Sequence, residues 1–128
     1  MATPNDFDAT FLALKKILKP YERRLVVQSD NDKDYFLITK HIMKSKQPLW
    51  FAGVRKGKAY VSYHFVPIYV CPELSRELSP DLKRRMQGKG CFNFKNVDEK
   101  LFKELGQLTK RGLQKLNEPE VLRKITTR

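Results

Sequence analysis

The chain has 128 residues, 41% hydrophobic and 11% aromatic, a composition ordinary for one soluble globular domain with its own core. No apolar run approaches the roughly 20 residues of a membrane-spanning helix, and residues 1–6 carry no signal-peptide pattern, so we expect a cytoplasmic protein without a membrane partner. A balance of 26 Lys and Arg against 14 Asp and Glu gives a formal net charge of +12, which attracts anions through a salt-sensitive field.

The first predicted element is an amphipathic helix near the start of the chain. Thr3 can cap this helix, Pro4 suits its first position, and Pro20 ends it. Two β-strands, residues 24–28 and 34–40, follow because both stretches are rich in apolar and aromatic side chains. The polar link between these strands predicts a hairpin turn.

Residues 49–66 predict a central β-hairpin of aromatic and β-branched runs that turns at Lys56-Gly57. A two-residue turn there pairs Arg55 with Lys58 and Gly53 with Tyr60. Strict alternation then assigns one set of side chains to the core: Trp50, Ala52, Val54, Ala59, Val61, Tyr63 and Phe65. It assigns a mixed aromatic and basic set to the opposite face: Phe51, Gly53, Arg55, Lys58, Tyr60 and His64.

Shorter elements are predicted after the hairpin. Residues 68–71 are too apolar for an exposed loop, so we expect them to pack over one edge of the sheet. A short helix over Pro72–Glu77 comes next, and Ser79 caps a second short helix that runs to Met86. Cys91–Phe94 is a last short strand.

The final helix is predicted from an N-terminal cap and an apolar stripe. Asn96 followed three residues later by Glu99 resembles a capping box. The stripe includes Gly112, which predicts a close approach of this helix to the sheet. Its members are Val97, Leu101, Leu105, Leu108, Gly112 and Leu116.

The order helix, strands, two short helices, strand and helix predicts an α+β fold. We expect an antiparallel sheet of about five strands, with the N- and C-terminal helices packed on one face and the other face open. The domain covers residues 1–118, and residues 119–128 form a basic C-terminal tail. A monomer or a homodimer is expected.

One ordered set of motifs resembles the YdhG-like family of small bacterial proteins, a domain of unknown function. The set is Phe51-Ala52-Gly53-Val54, Lys58 with Tyr60-Val61, Pro67 with Tyr69, Pro72-Glu73-Leu74, Gly88-Lys89 with Cys91-Phe92, and Lys95. The resemblance implies a frataxin-like fold and no established catalytic residues. Because some relatives are described as frataxin-like iron chaperones, it also offers iron binding as an alternative function.

Iron would need carboxylate oxygens, because hard cations prefer oxygen ligands. The first helix and the following turn supply the only plausible ligands: Asp6, Asp8, Asp30, Asp32 and Asp34. The net charge of +12 repels cations elsewhere on the surface, which disfavours this function.

The two cysteines and two histidines are the residues from which a zinc site or a cysteine nucleophile could be built. Cys71, Cys91, His41 and His64 do not occur at metal-ligand spacing. A cysteine nucleophile would need a histidine beside it in the fold, which spacing alone does not exclude. Both cysteines lie in apolar surroundings, so we expect buried reduced thiols and no enzyme activity.

The sequence therefore predicts a binding module for an anionic small molecule, nucleic acid or protein partner. Stacking and charge would come from the face opposite the core: Phe51, Arg55, Lys58, Tyr60 and His64. An anion-binding rim would come from the densest basic stretch: Lys83, Arg84, Arg85 and Lys89. For Phe51 and Tyr60, the alternative is a second small core under residues 67–72. A protein–protein adaptor that uses the open sheet face is a further alternative.

Overall fold

The computed structural model describes residues 4–44, 46–88 and 90–120, and at residues 4–6, 70 and 72 it describes the backbone alone. Predictions for Thr3, for Lys89 and for residues 121–128 of the tail lie outside the described residues. Two 3-10 turns, Lys19–Tyr21 and Pro72–Glu77, accompany the regular elements. These elements are α1 (Pro4–Leu18), β1 (Val26–Asp30), β2 (Asp34–Ile42), β3 (Pro48–Lys56), β4 (Val61–Phe65), α2 (Pro67–Val70), α3 (Pro80–Lys83), β5 (Met86–Gln87), β6 (Cys91–Phe94) and α4 (Glu99–Leu116).

The strands form one antiparallel sheet in the order β1-β2-β3-β4-β6-β5, and α1 and α4 pack against one face of it. The predicted α+β class is confirmed. The sheet has six strands rather than about five, because the two-residue strand β5 pairs with β6. Within the described residues, no helix is long and apolar enough to cross a membrane.

The N-terminal hairpin turns where the sequence predicts. The side-chain oxygen of Asn31 accepts hydrogen bonds from the backbone N–H groups of Lys33 and Asp34, both at 2.9 Å. Such an Asx turn lets the side chain replace backbone partners, which explains why a polar link suffices between two apolar strands. The predicted first helix and both strands of this hairpin are confirmed with small differences at their ends.

The predicted turn of the central hairpin is wrong. Lys56 pairs with Val61, so residues 57–60 form a four-residue loop in which Gly57 N–H donates to the Tyr60 carbonyl at 2.9 Å. A two-residue turn of the favoured type requires positive φ at both central residues, and neither Lys56 nor Gly57 has it. Ala59 consequently lies exposed in the loop instead of in the core.

The faces of β4 still match the prediction. Arg55 pairs with Ser62 rather than with Lys58, a register change of four residues. Because side chains alternate with a period of two, an even change leaves every β4 side chain on its predicted face. Val61, Tyr63 and Phe65 are therefore core residues with no exposed surface.

A β-bulge reverses the predicted faces of Trp50 and Phe51. Leu37 pairs with Ala52 and Ile38 with Trp50, which leaves Phe51 as an additional residue of β3. Phe51 is 0% exposed, and its ring lies 6.0 Å from that of Phe65 in the core. Trp50 is 36% exposed and lies on the opposite face. Both predictions, Phe51 on the open face and Trp50 in the core, are thus wrong.

Helix α4 closes the core against the sheet. Tyr63 donates its hydroxyl hydrogen to Thr109 Oγ1 at 2.6 Å, because Thr109 uses its own hydrogen on the Leu105 carbonyl at 2.7 Å. A Cβ at Gly112 would lie 2.3 Å from Cζ of Phe65, so the absence of a side chain permits the close approach. The predicted role of Gly112 is confirmed.

The N-terminus of α4 differs from the prediction. Asp98, rather than Asn96, is the N-cap, and its carboxylate accepts from Leu101 N–H at 3.1 Å. Val97 precedes the helix and is exposed, so it does not belong to the apolar stripe. Asp98 and Asn96 are both good capping residues, and the tertiary position of the helix decides between them.

The segment between the hairpin and α4 contains the predicted cap. Ser79 Oγ accepts from Leu82 N–H at 3.2 Å and donates to Glu104 of α4 at 2.6 Å, which fixes α3 against α4. The helix ends at Lys83 rather than at Met86, because Met86 already pairs with Phe92 in the sheet.

Candidate binding site on the open sheet face and its basic edge

The open face of the sheet carries an aromatic cluster centred on Phe36. The ring of Phe36 lies 5.4 Å from the ring of Trp50 and 5.6 Å from that of His64, measured between centroids. It lies directly over Gly53, where a Cβ would be 1.9 Å from Cδ1 of the ring. Glycine at this position of β3 therefore creates the space that the Phe36 ring fills.

Arg55 adds positive charge to the same cluster. Its guanidinium carbon lies 5.5 Å from the Phe36 ring centroid, which is within cation–π range. Its Nε donates to Asp34 Oδ1 at 2.7 Å, so part of its charge is balanced. Arg55 and His64 lie on the open face, as the sequence predicts.

His64 and Cys91 are directly opposite each other on β4 and β6. The Cys91 Sγ atom and the His64 Nδ1 atom are 3.1 Å apart, within hydrogen-bonding distance for sulfur. Burial, with the nearby Arg55 charge, lowers the pKa of His64, while Asp34 raises it by less. Burial also raises the pKa of the Cys91 thiol, so both groups are uncharged at neutral pH.

The sequence predicts a buried thiol at Cys91, and spacing alone does not decide whether a histidine lies beside it. The side chain is instead partly exposed. His64 is 27 residues away in sequence, and only the pairing of β4 with β6 brings the two together. The sequence contains no local signal for that pairing.

A cavity of about 290 Å³, here called the sheet-face cavity, lies beside this cluster. Gly90 shapes its wall, because a Cβ there would lie 2.4 Å from the Tyr69 ring. The described lining residues are Phe36, Trp50, Ala52, Arg55, His64, Phe65, Val66, Tyr69, Gly90 and Cys91.

A larger cavity of about 600 Å³, here called the basic cavity, lies at the edge of the sheet. Among the described residues, Tyr69 of α2 lines both cavities. It is 55% exposed. The described lining residues of the basic cavity are Ile68, Tyr69, Ser75, Arg76, Lys83, Met86 and Gly88.

The basic cavity contains two cations and no carboxylate among its described lining residues. Within the described chain, no ion pair involves Arg76 or Lys83. Glu77, the acidic residue beside Arg76 in sequence, instead pairs with Arg111 at 2.7 Å. The positive charge of Arg76 and Lys83 is therefore available to an anion.

The predicted basic rim is only partly assembled. Lys83 lines the basic cavity, whereas Arg84 forms an ion pair with Asp81 and Arg85 lies over the Phe94 ring at 5.9 Å. Arg76 was missed, because it stands alone in a stretch with acidic neighbours and gives no signal in the sequence.

The predicted stacking residues of the central hairpin do not come together. Phe51 is in the core for the reason given above. Lys58 and Tyr60 lie in the loop after β3, and among the described residues neither lines the two cavities. The Tyr60 hydroxyl lies 3.4 Å from Oε1 of Gln87 in β5.

Three of the five carboxylates proposed for iron form ion pairs with basic side chains. Asp8 pairs with Lys56, Asp30 with Lys15 at 2.6 Å, and Asp34 with Arg55 at 2.7 Å. Asp8, Asp30 and Asp32 share one cavity, but Lys15 and Lys56 line it as well. The side chain of Asp6 lies outside the described residues.

Across the described part of the chain, no three or more His, Cys, Asp or Glu side chains are grouped to hold a metal ion. For the residues that the structure describes, the same finding applies to the zinc set, in which Cys91 and His64 are in contact. His41 and Cys71 do not join this pair in a group of metal ligands.

The fold and the site thus define an α+β protein with an open antiparallel sheet and two adjoining cavities. No protein-family model, curated protein or solved structure matches the chain. The resemblance to the YdhG-like family stays a prediction.

Proposed function

We propose that this protein is a binding module rather than an enzyme, and that it binds a small anion that also carries a planar apolar group. The observation that supports this most strongly is that Arg76 and Lys83, which form no ion pair with any described residue, share one cavity with the exposed ring of Tyr69. The cations would bind the anionic group, and the tyrosine ring would stack on the planar group.

The size of the site favours a small molecule. Ligand cavities for small molecules typically measure about 300–1,000 Å³, and the basic cavity, at about 600 Å³, falls in this range. Nucleic acid would need the extended basic and aromatic face that the sequence predicted, but Phe51 is buried and Tyr60 lies apart from the aromatic cluster. These positions favour a small anion over nucleic acid.

The carboxylate geometry gives no support to the iron-binding alternative. Each of Asp8, Asp30 and Asp34 is neutralised by a lysine or arginine, so a cation would have to displace that partner first. The long-range field of a protein with net charge +12 acts in the same direction.

Calorimetric titration with adenosine monophosphate, adenosine and inorganic phosphate tests the proposal. We expect adenosine monophosphate to bind most tightly, because it alone offers both a planar ring and an anion. Its affinity should fall as salt is raised from 50 to 300 mM, since the attraction is electrostatic. Tyr69→Ala should weaken binding of adenosine monophosphate and leave binding of phosphate unchanged.

A pair of double variants separates the site from the overall charge. Arg76→Gln with Lys83→Gln should weaken binding of adenosine monophosphate about tenfold or more, which corresponds to about 1.4 kcal/mol. Arg23→Gln with Lys40→Gln removes the same charge from exposed positions outside both cavities and should change binding less than twofold. Equal losses in the two variants would contradict the proposed site.

A further inference from the structure

The contact between Cys91 and His64 is not used by the proposed anion site. The thiol and the imidazole face each other at 3.1 Å across β6 and β4, and both line the sheet-face cavity. This cavity is distinct from the basic cavity, although Tyr69 contributes to both. A small molecule in the sheet-face cavity would therefore meet a thiol that has a base beside it.

The protonation states suit proton transfer from sulfur to nitrogen. Because burial lowers the pKa of His64 and raises that of Cys91, the pair is a neutral thiol beside a neutral imidazole near pH 7. In the tautomer with its proton on Nε2, the imidazole presents an unprotonated Nδ1 to the thiol. The charged groups that act on this pair are Arg55 of β3 and Asp34 of β2, and Tyr69 faces the cavity from α2.

We propose that Cys91 and His64 form a covalent capture site for small α,β-unsaturated carbonyl compounds. The Cys91 sulfur bonds to the β-carbon of the electrophile while its proton passes to His64 Nδ1. The π pair of the carbon–carbon double bond shifts into the bond between the α-carbon and the carbonyl carbon, and the carbonyl π pair moves to the oxygen, which gives an enolate. The α-carbon then takes the proton back from the imidazolium, so the product is a thioether and His64 is again neutral.

The surroundings of the thiol favour this chemical class. Sulfur is a soft nucleophile that reacts readily with a conjugated carbon. The aromatic rings of Phe36 and Trp50 form an apolar wall for the carbon skeleton, and the Arg55 guanidinium over Phe36 places positive charge near the enolate oxygen. The cavity volume of about 290 Å³ limits the electrophile to a small molecule.

Labelling with N-ethylmaleimide, an uncharged α,β-unsaturated carbonyl compound, tests the proposal on the intact protein. Cys91 should be labelled first, and Cys71, which is only 3% exposed, provides an internal control. Intact mass and peptide mapping report the two rates. Trp50 is the only tryptophan and lines the cavity, so its fluorescence should change with the labelling of Cys91.

The role of His64 is tested by substitution and by pH. His64→Gln should slow the labelling of Cys91 at pH 7 by about tenfold or more, since general-base assistance is typically worth 10²–10⁴-fold. His41→Gln, at a half-buried histidine outside both cavities, should leave the rate unchanged. Native protein should show a rate that rises through the lowered pKa of His64 and then levels.

His64→Gln should instead give a rate that rises about tenfold per pH unit up to the raised pKa of the thiol, because only the thiolate then reacts. Identical pH profiles in the native protein and in His64→Gln, or equal labelling of Cys71 and Cys91, would overturn the proposal. The levelling of the Cys91 labelling rate with pH is measured on the native protein alone. The proposal can therefore be tested even if His64→Gln misfolds. If adenosine monophosphate does not bind, only the proposal for the basic cavity is contradicted. The labelling of Cys91 tests the sheet-face cavity independently.

Discussion

The two faces of the sheet differ in how completely their side chains are buried and packed. On the helix-covered face, Tyr63 bonds to Thr109, and Phe65 fills the space above Gly112. On the open face, Trp50 and Tyr69 keep exposed ring surface, and His64 and Cys91 meet beside a cavity. The first arrangement stabilises the fold, and the second leaves chemical groups accessible to a ligand.

The bulge at Phe51 determines which side chains of β3 lie on the helix-covered face and which lie on the open face. Without it, alternation would place Phe51 on the open face and Trp50 in the core. With it, the core gains a phenylalanine, and the open face gains the indole that packs against Phe36. The contrast shows that one additional residue in a strand can relocate the aromatic wall of a candidate site.

The largest expected effect is on the helix-covered face, at Gly112. Gly112→Ala should lower the free energy of unfolding by about 1–3 kcal/mol, because its Cβ would lie 2.3 Å from Phe65 Cζ and 3.0 Å from Pro67 Cβ. Gly106→Ala, on the same helix with no atom within 4 Å of the new Cβ, should raise it by about 0.5–1 kcal/mol. Urea denaturation measures both, and a loss at Gly106 equal to that at Gly112 would contradict the close approach.

A glycine substitution on the open face should be less costly. Gly53→Ala directs its Cβ into the Phe36 ring, at 1.9 Å from Cδ1, so the ring must move. Phe36 is 8% exposed, but its neighbours Trp50 and Arg55 lie at the surface and can move with its ring, so we expect a loss of about 1–2 kcal/mol. Trp50 fluorescence should shift in the folded variant, since the ring beside it has moved. An unchanged Trp50 spectrum would contradict the described packing.

Two tyrosine hydroxyls provide a smaller comparison. Tyr63→Phe removes the buried hydrogen bond to Thr109 and should cost about 1 kcal/mol in urea denaturation. Tyr60→Phe removes only the exposed 3.4 Å contact with Gln87 and should change the free energy of unfolding by less than about 0.5 kcal/mol. Equal costs would mean that the two hydroxyls are equally buried, contrary to the structure.

The smallest effect concerns pH and His64. Because the pKa of His64 is lower in the folded state than the usual 6.5, the unfolded chain binds the proton more readily. Its contribution to stability is therefore present above pH 6.5 and is lost as pH falls through the lowered pKa. Urea denaturation at pH 7.5 and 5.5 should show this loss in native protein, and His64→Gln should show a smaller one. Equal losses would assign the pH dependence to other groups.

Much of the fold follows from local signals in the sequence. Pro20 and Ser79 mark helix boundaries, and Gly112 in an apolar stripe indicates close packing, because backbone constraints and capping act within a few residues. The apolar stripes of helical period predicted both long helices, and the order of helices and strands predicted the α+β class.

The candidate site depends on long-range pairing and was only partly predictable. Arg55, His64 and Lys83 were identified, but the bulge at Phe51 depends on which residues of β2 face β3. The contact of Cys91 with His64 depends on β4 pairing with β6. Such registers are set by the packing of the whole sheet, which alternation in one strand does not reveal.

The proposed site binds a planar anion beside the open face, at Tyr69, Arg76 and Lys83. The most direct measurement is an NMR titration of the ¹⁵N-labelled protein with adenosine monophosphate. We expect the largest shifts at the amides of these three residues and a smaller one at the Trp50 indole, which lies in the adjoining cavity. Shifts confined to α1 and α4 on the covered face, or no shifts at all, would contradict it.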